Sequence, residues 1–270
     1  MDHRNYEEYS LEQLYDALET VDEVEHPGQL KLIEERISVL EEEKNNINCF
    51  KASGQLTKWV KYFLYLQIIV SFIALVSGYF EYRLLSDYSK GVYLSEEEAV
   101  ADGEANDRRQ GFIGIVQAII FVISGILILK WIHRANYNVR QLGAKAMQFT
   151  PGWSIGWYFI PIVNLWKPYQ AMKEIWKASS SPRNWKETKV SPILGWWWFF
   201  WLTSSVLSNI SLRLTTSAED LNSLMTANIV TRASDVSSIM LPIIFIVLVN
   251  RIYLAQKNSH FAQGAIDANA

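Results

Sequence analysis

Long uncharged and mainly apolar runs, separated by polar segments, fill most of the chain beyond residue 58. Four of these runs predict membrane-spanning helices, at about residues 60–81, 111–132, 192–213 and 236–255. Each run is apolar on all sides and close to the roughly 20 residues that a spanning helix needs. In the last run, Arg251 can extend its charged end to the membrane surface and let the helix continue. The pattern predicts an all-α fold, a polytopic membrane helix bundle.

A fifth uncharged run, at residues 146–166, contains Pro151, Gly152, Gly156 and Pro161. These residues interrupt helical hydrogen bonding, and lipid cannot satisfy the freed backbone groups. We therefore predict a re-entrant or interfacial element over residues 150–178. The alternative is a fifth crossing by residues 150–168.

The basic residues help to choose between these topologies. Counted from residue 51 onward, four crossings with both termini in the cytoplasm place 15 basic side chains inside and six outside, whereas five crossings give nine and 12. Because cytoplasmic loops carry an excess of Lys and Arg, four crossings are favoured. In the first outer loop, Ser95 followed by three glutamates predicts a helix start that can lead into the second span. The second outer loop is also expected to be helical, from about residue 218 to 231.

The first 50 residues differ from the rest in charge and in hydrophobic period. Residues 1–51 carry 14 acidic and five basic side chains, whereas residues 52–270 carry 14 acidic and 20 basic ones. Leucine, isoleucine and valine recur at helical spacing on both sides of His26-Pro27-Gly28, at Leu11, Leu14, Leu18, Val21, Leu30, Ile33, Ile37 and Leu40. We predict an acidic, cytoplasmic helical hairpin at residues 1–50, a membrane domain at 51–256 and a disordered tail at 257–270.

The chain shows no recognisable catalytic site. None of its four histidines stands at ligand spacing from another histidine or from the single cysteine, so we expect no metal site and no cofactor. A glycine-rich phosphate loop and the common hydrolase motifs are missing. Serines inside the spans, such as Ser204, Ser205 and Ser208, are expected to bond helix backbone or a neighbouring helix. The expectation is a protein that is not an enzyme.

The most informative stretch is Trp131–Ala178, rich in tryptophan, proline and amide side chains. Residues 166–177 predict an amphipathic helix at the membrane interface, where basic side chains attract anionic headgroups. The interfacial anchors are expected to be Trp131, Trp153, Trp157, Trp166, Trp176, Trp196 and Trp197. A sharper reading is a cytoplasmic pocket for a ligand or a lipid headgroup, lined by Asn136, Arg140, Asn164, Lys167, Gln170 and Glu174. Both readings stay open.

The same stretch closely resembles a mainly bacterial membrane domain family, domain of unknown function 4328. The resemblance covers roughly residues 55–255, and its combination of motifs is specific. It rests on Trp131, Ala135-Asn136, Leu142-Gly143-Ala144, Phe149-Thr150-Pro151-Gly152-Trp153, Gly156-Trp157, Phe159-Ile160-Pro161, Asn164-Leu165-Trp166-Lys167-Pro168-Tyr169, Met172, Glu174-Ile175-Trp176 and Gly195-Trp196-Trp197. It implies a multi-span domain in a bacterial inner or cell membrane, and it brings no reaction, ligand or catalytic residue. The N-terminal hairpin lies outside it.

Two functions follow as hypotheses. The first is a non-enzymatic scaffold or regulator in the lipid bilayer, whose residues 1–50 bind a protein partner or another copy of the chain. The alternative is a component of a small-solute or ion transporter or channel, with its polar site at the cytoplasmic membrane interface. Neither hypothesis includes a nucleic-acid partner, and a membrane-embedded enzyme is the least favoured because the spans lack paired acid–base residues.

Overall fold

A computed structural model of the protein describes residues 6, 9–21, 26–48 and 50–267. These residues form helices and no strand, which confirms the all-α class. The α-helices are α1 (Leu11–Thr20), α2 (Pro27–Asn48), α3 (Gly54–Ser89), α4 (Glu96–Gln141), α5 (Trp153–Gly156), α6 (Lys167–Ser180), α7 (Pro192–Thr216) and α8 (Leu221–Asp267). Short 3₁₀ turns lie at Trp157–Phe159, Val163–Leu165 and Trp185–Glu187.

The four long helices form a bundle in which α8 is central. Helix α8 packs along both α3 and α7, and α3 also packs along α4. Helix α4 therefore packs mainly on α3, and helix α7 packs mainly on α8. Helices α4 and α7 have little contact with each other. The shorter α6 crosses one end of the bundle against α8, α4 and α7. Most of the apolar core lies at that end, around Trp131, Ile175 and Leu248.

Three of the predicted spans lie in helices that are long and apolar enough to cross a membrane: α3, α4 and α8. Their outward faces carry large exposed apolar side chains, such as Phe72 on α3 and Phe112 and Ile115 on α4, which suits contact with lipid. Helix α7 lies outside this set because its tryptophans and serines lower its hydropathy. Its 25 residues would nevertheless extend about 37 Å.

The structure has helices in both of the segments predicted to be outer loops. The Ser95 hydroxyl accepts the Glu98 N–H at 3.2 Å, and α4 begins at Glu96 and continues without interruption through the second span. The helix of the second outer loop begins at Leu221 and is continuous with the last span. Helices α4 and α8 have 46 and 47 residues, so at 1.5 Å per residue each is about 70 Å long. Each exceeds a hydrocarbon core of about 30 Å.

Pairs of hydroxyl groups join α7 to α8 in the halves of these helices that lie farther from α6. Ser204 pairs with Ser237 at 2.7 Å, Ser208 with Ser234 at 3.1 Å, and Ser211 with Thr231 at 2.6 Å. Ser205 instead donates to the carbonyl oxygen of Trp201 in its own helix. These contacts confirm that the span serines bond backbone or a neighbouring helix. Such hydrogen bonds are a common means of helix association in membranes.

The proline- and glycine-rich element is broken into short pieces. Helix α5 has four residues, the next two 3₁₀ turns have three each, and α6 has 14. Ile162, between the two turns, has a φ of 67°, which is strained for a β-branched residue. None of these pieces approaches the roughly 20 residues of a spanning helix, which weighs against a crossing by residues 150–168.

The segment that follows α2 and the C-terminal part of α8 pack together at the α6 end of the bundle. Helices α1 and α2 share a small core made by Leu14, Ile33 and Ile37. The prediction of a disordered tail is wrong for residues 257–267, because α8 continues through them. Local packing supports this extension: Gln256 is buried, and the His260 ring stacks on Phe50 with centroids 4.2 Å apart. Residues 268–270 of the predicted tail lie outside the described residues.

Candidate functional site

The residues predicted as a site surround the loop that follows α4. The Ala144 N–H donates to the carbonyl oxygen of Val139, and the Gly143 N–H donates to that of Arg140. This pattern is a Schellman C-cap, and Gly143 takes the left-handed conformation it requires, with a φ of 94°. The cap turns the chain back toward α6 and brings residues 147–149 against both helices.

Two polar side chains of α4 bind the carbonyl groups of this loop. The Arg140 guanidinium donates to the oxygens of Phe149 at 2.7 Å and Met147 at 3.4 Å. The Asn136 amide donates to the same Phe149 oxygen at 3.0 Å, and its own oxygen accepts from Arg140 Nε at 3.1 Å. Asn136 and Arg140 stand one turn apart, so they share one face of α4. Their hydrogen-bonding groups are thus largely used within the protein.

Glu174 on α6 binds the N–H groups of the same loop. Its carboxylate accepts from Gln148 at 2.6 Å and from Phe149 at 3.0 Å, and the residue is only 6% exposed. Hydrogen bonds from backbone N–H groups to a carboxylate are stronger than neutral ones. Arg140 and Glu174 therefore hold opposite sides of one short backbone segment, and together with Asn136 they form a loop clasp.

The other three predicted site residues lie at the edge of this clasp. Lys167 places its Nζ 5.5 Å from the centroid of the Phe149 ring and 5.7 Å from that of Trp157. Gln170 is exposed on α6, and Asn164 is half-buried in a 3₁₀ turn. The structure thus brings Asn136, Arg140 and Glu174 together around backbone and leaves the others on the rim. This arrangement can hold the loop in place, and it leaves the ammonium group of Lys167 at the edge of the clasp.

The predicted tryptophan anchors fall into two groups. Trp153, Trp166 and Trp196 are 52%, 43% and 58% exposed, as anchors in lipid headgroups should be. Trp131 and Trp197 are not placed for that role, because they are 1% and 3% exposed within the core. Trp131 donates to the Thr57 hydroxyl at 3.1 Å, and the Trp197 ring stacks on Phe245. The remaining two, Trp157 and Trp176, are half-buried.

Two buried amides near the clasp were not predicted from the sequence. Asn138 has no exposed surface, and its side chain hydrogen-bonds both backbone groups of Lys51. Gln256 is 2% exposed and donates to the carbonyl oxygen of Ala135 and to the Ser179 hydroxyl. A signal existed for Asn138, which lies three and four residues from the apolar Ala135 and Leu142. An uncharged amide on an apolar helix face needs an internal partner.

A second polar group, also not predicted, lies at the opposite end of the bundle. The Glu81 carboxylate of α3 accepts from Gln110 of α4 at 3.0 Å and from Asn228 of α8 at 2.7 Å. Arg109 donates to Ser77 at 3.0 Å and to Asn106 at 2.6 Å. These contacts join three helices at the end of the bundle opposite α6. The sequence placed most of these residues in or next to the predicted outer loops, where polar side chains are common.

Comparison with known proteins gives one match. The model of a family described as a domain of unknown function, DUF4328, matches residues 95–253, from the start of α4 into α8. This range covers more than half of the chain and includes the whole loop clasp. It leaves α1 and α2 outside. No curated protein and no solved structure matches the chain.

Proposed function

The chain belongs to the DUF4328 family, and we propose that it acts as a non-enzymatic membrane scaffold or regulator whose N-terminal helices bind a protein partner. The observation that carries this proposal is the attachment to the bundle of the segment that directly follows those helices. Asn138 binds the backbone of Lys51 through two hydrogen bonds, and Phe50 stacks on His260. An interaction module fastened in this way keeps a defined position relative to the membrane.

The surface of α2 suits a protein partner. Leu32 and Val39 are 57% and 40% exposed although their neighbours Ile33 and Ile37 are buried. Glu34 and Glu35 are exposed on the same helix. Apolar side chains bordered by carboxylates favour an amphipathic partner segment that carries basic residues. A second copy of the chain is the other partner that we consider.

The proposed topology has four crossings, with both termini in the cytoplasm of a bacterial cell. Helix α7 serves as the fourth crossing, supported by its length and its hydroxyl pairs with α8. The loop clasp then lies on the cytoplasmic side. Its exposed tryptophans would sit among headgroups, and basic side chains of α6 such as Lys173 would attract anionic lipids.

Cysteine accessibility tests this topology. In a Cys49→Ser background, single variants Lys90→Cys, Ile160→Cys, Ser180→Cys and Met225→Cys would be treated with a membrane-impermeant thiol reagent. We expect the variants at 90 and 225 to react in intact cells and the one at 180 to react only after permeabilisation. The variant at 160 should react little under either condition, since lipid shields it. Reaction at 180 in intact cells would establish a fifth crossing.

Crosslinking and pulldown from native membranes test the function. The full chain would be compared with a chain lacking residues 1–50 and with the double variant Glu34→Lys/Glu35→Lys. Both changes should remove the same partner. The matched control Glu96→Lys/Glu97→Lys makes the same charge change at the start of α4 and should retain the partner. An unchanged partner profile after deletion of residues 1–50 would overturn the proposal.

The transporter alternative placed its polar site at the cytoplasmic interface. The hydrogen bonds of Asn136, Arg140 and Glu174 to the loop backbone weigh against that position, because groups so engaged have little capacity left for a solute. The proposal of a scaffold therefore remains the one that the cytoplasmic end of the bundle supports best.

A further inference from the structure

A cavity of about 520 Å³ lies in the outer half of the bundle. It occupies the space that α4 and α7 leave between them, backed by α3 and α8. Its polar lining comes from all four helices and includes Gln67, Gln117, Ser208, Ser211, Thr231 and Asp235. Polar groups lining a cavity within a membrane bundle favour a polar ligand or an ion pathway.

Asp235 reaches this cavity at membrane depth. Gln117 stands six residues inside the predicted start of the second span, which is about 9 Å along a helix. Gln117 and Asp235 line the same cavity, and Asp235 directly precedes the predicted start of the fourth span, so the cavity reaches into the membrane region. An acidic side chain inside a spanning bundle is rare unless it is paired or functional.

No cation of the described chain forms an ion pair with Asp235. Arg232, one turn earlier on α8, lies over the Tyr82 ring at 5.7 Å. Arg109 donates to Ser77 and Asn106. The other acidic group that borders this region, Glu81, accepts from Gln110 and Asn228. The Asp235 carboxylate is therefore available to a cation from outside the protein.

The hydroxyl groups next to Asp235 offer acceptors. Thr231 donates its proton to the carbonyl oxygen of Ala227, so in the Ser211–Thr231 pair the donor must be Ser211. Both protons are thus used within the protein. Both residues line the cavity, and their oxygens have only lone pairs left to offer a ligand. Carboxylate and neutral oxygens are ligands that hard cations prefer. A single carboxylate balances a single positive charge.

A second cavity, of about 460 Å³, connects the site to the outer end of the bundle. Both cavities are lined by Gln117, Thr231 and Asp235. The outer cavity is also lined by two further carboxylates, Glu81 and Asp107, and by one cation, Arg232, so its acidic side chains outnumber its basic one. A cleft bearing negative charge raises the local concentration of cations and provides an entry route.

We infer that the cavity at Asp235 is a binding site for a monovalent cation, held by the Asp235 carboxylate and by the oxygens of Ser211 and Thr231. The ligand is a small cation with one positive charge, such as an alkali ion or a primary ammonium ion. The site does not depend on the proposed scaffold function, since it lies in the opposite half of the bundle from the N-terminal helices.

The full chain in nanodiscs would be heated while tryptophan fluorescence is recorded. Sodium chloride, potassium chloride and methylammonium chloride would be titrated separately against N-methylglucamine chloride at constant ionic strength. We expect a saturable rise in melting temperature with at least one cation. Saturation by an alkali ion alone identifies a metal-ion site, and saturation by methylammonium alone identifies an ammonium site.

The variant Asp235→Asn keeps the side-chain shape and removes a charge from the membrane, so it should fold. It should weaken cation binding by at least about tenfold, because the attraction to a full charge in a low-dielectric site is lost. Ser211→Ala should weaken binding less, and Glu219→Gln, an acid removed from the outer loop, should have no effect. Wild-type cation dependence in Asp235→Asn, or no saturable response to any of the three cations, would overturn the inference.

Discussion

The side-chain amide of Asn138 exchanges two hydrogen bonds with the backbone of Lys51, 87 residues earlier in the chain. Its oxygen accepts the Lys51 N–H at 3.2 Å, and its nitrogen donates to the Lys51 carbonyl oxygen at 3.0 Å. The amide thus supplies the hydrogen-bond partners that a helix or strand would otherwise give to the Lys51 backbone. It fixes the point at which the N-terminal helices join the membrane bundle.

Replacing Asn138 with alanine should loosen this junction. The change leaves a donor and an acceptor of Lys51 without partners, at a cost of about 2 kcal/mol. If local opening precedes cleavage, trypsin should cut after Lys51 roughly 30 times faster than in the wild type. Gln55→Ala, an exposed amide close to the same junction, is the control and should leave the cleavage rate unchanged. Equal rates in the Asn138→Ala variant and the wild type would contradict the prediction.

Glu174→Ala should destabilise the loop clasp. Two backbone N–H groups would lose a charged acceptor in a buried position, which costs about 3 kcal/mol. Glu174→Gln retains one acceptor oxygen and should lose about half as much. Thermal unfolding followed by tryptophan fluorescence measures both variants. A cytoplasmic ligand site predicts a different pattern, in which Gln170→Ala also changes the response to added solute or lipid. We expect Gln170→Ala to match the wild type in both measurements.

Gly143→Ala should strain the C-cap of α4. At a φ of 94° a side chain is unfavourable, so the change should cost about 1 kcal/mol. Hydrogen exchange measured by mass spectrometry should speed up most at residues 144–149, the loop that the cap directs. Gly195→Ala is the matched control, because that glycine lies in a helix with open space where a Cβ would go. It should be neutral or slightly stabilising. Equal loop exchange in both variants would exclude a role for the cap.

The helices could be predicted from the sequence because their signals are local. Uncharged runs marked the spans, and Ser95 with its following glutamates marked the start of α4. The clasp was predicted only as a group of residues. Asn136 and Arg140 share a helix face by spacing alone, and Glu174 joins them because α6 crosses α4. Their side chains bind the loop backbone only because the Schellman turn directs that loop between α4 and α6. Residue types alone do not reveal this tertiary contact.

Burial was the least predictable property. Trp131 and Trp196 were both predicted to be interfacial anchors, yet one is 1% and the other 58% exposed. The difference arises from which neighbouring helix covers each ring, and no periodic pattern within one helix contains that information. Gln117 and Asp235 were missed for the same reason. They are 118 residues apart, and each alone resembles an ordinary polar residue near a span boundary.

The start of α8 should respond to pH through Asp220. Its carboxylate accepts the Ser223 N–H at 2.7 Å, and this hydrogen bond lowers the pKa of Asp220 below its ordinary value of 3.8. Because the folded-state pKa is lowered, its stabilisation is present above pH 3.8 and is lost as the pH falls through the folded-state value. In acid, the amides of residues 221–226 should therefore exchange faster than the pH dependence of the intrinsic exchange rate alone predicts. Asp220→Asn keeps an acceptor and should remove this pH dependence, whereas Asp220→Ala should open the turn at every pH.

The hydroxyl pair of Ser204 and Ser237 should contribute measurably to the packing of α7 on α8. Both side chains are buried, and their oxygens are 2.7 Å apart. Interhelical hydrogen bonds in membrane proteins average about 0.6 kcal/mol, so a double-mutant cycle with Ser204→Ala and Ser237→Ala should give a coupling energy of that size. Unfolding of the full chain in mixed micelles with increasing denaturing detergent provides the four free energies. Ser205 bonds its own helix, so the cycle of Ser205→Ala with Ser237→Ala should show no coupling. Equal coupling in the two cycles would mean that the energy arises from general loosening of α7, and the paired hydroxyls would then have no specific role in holding α7 against α8.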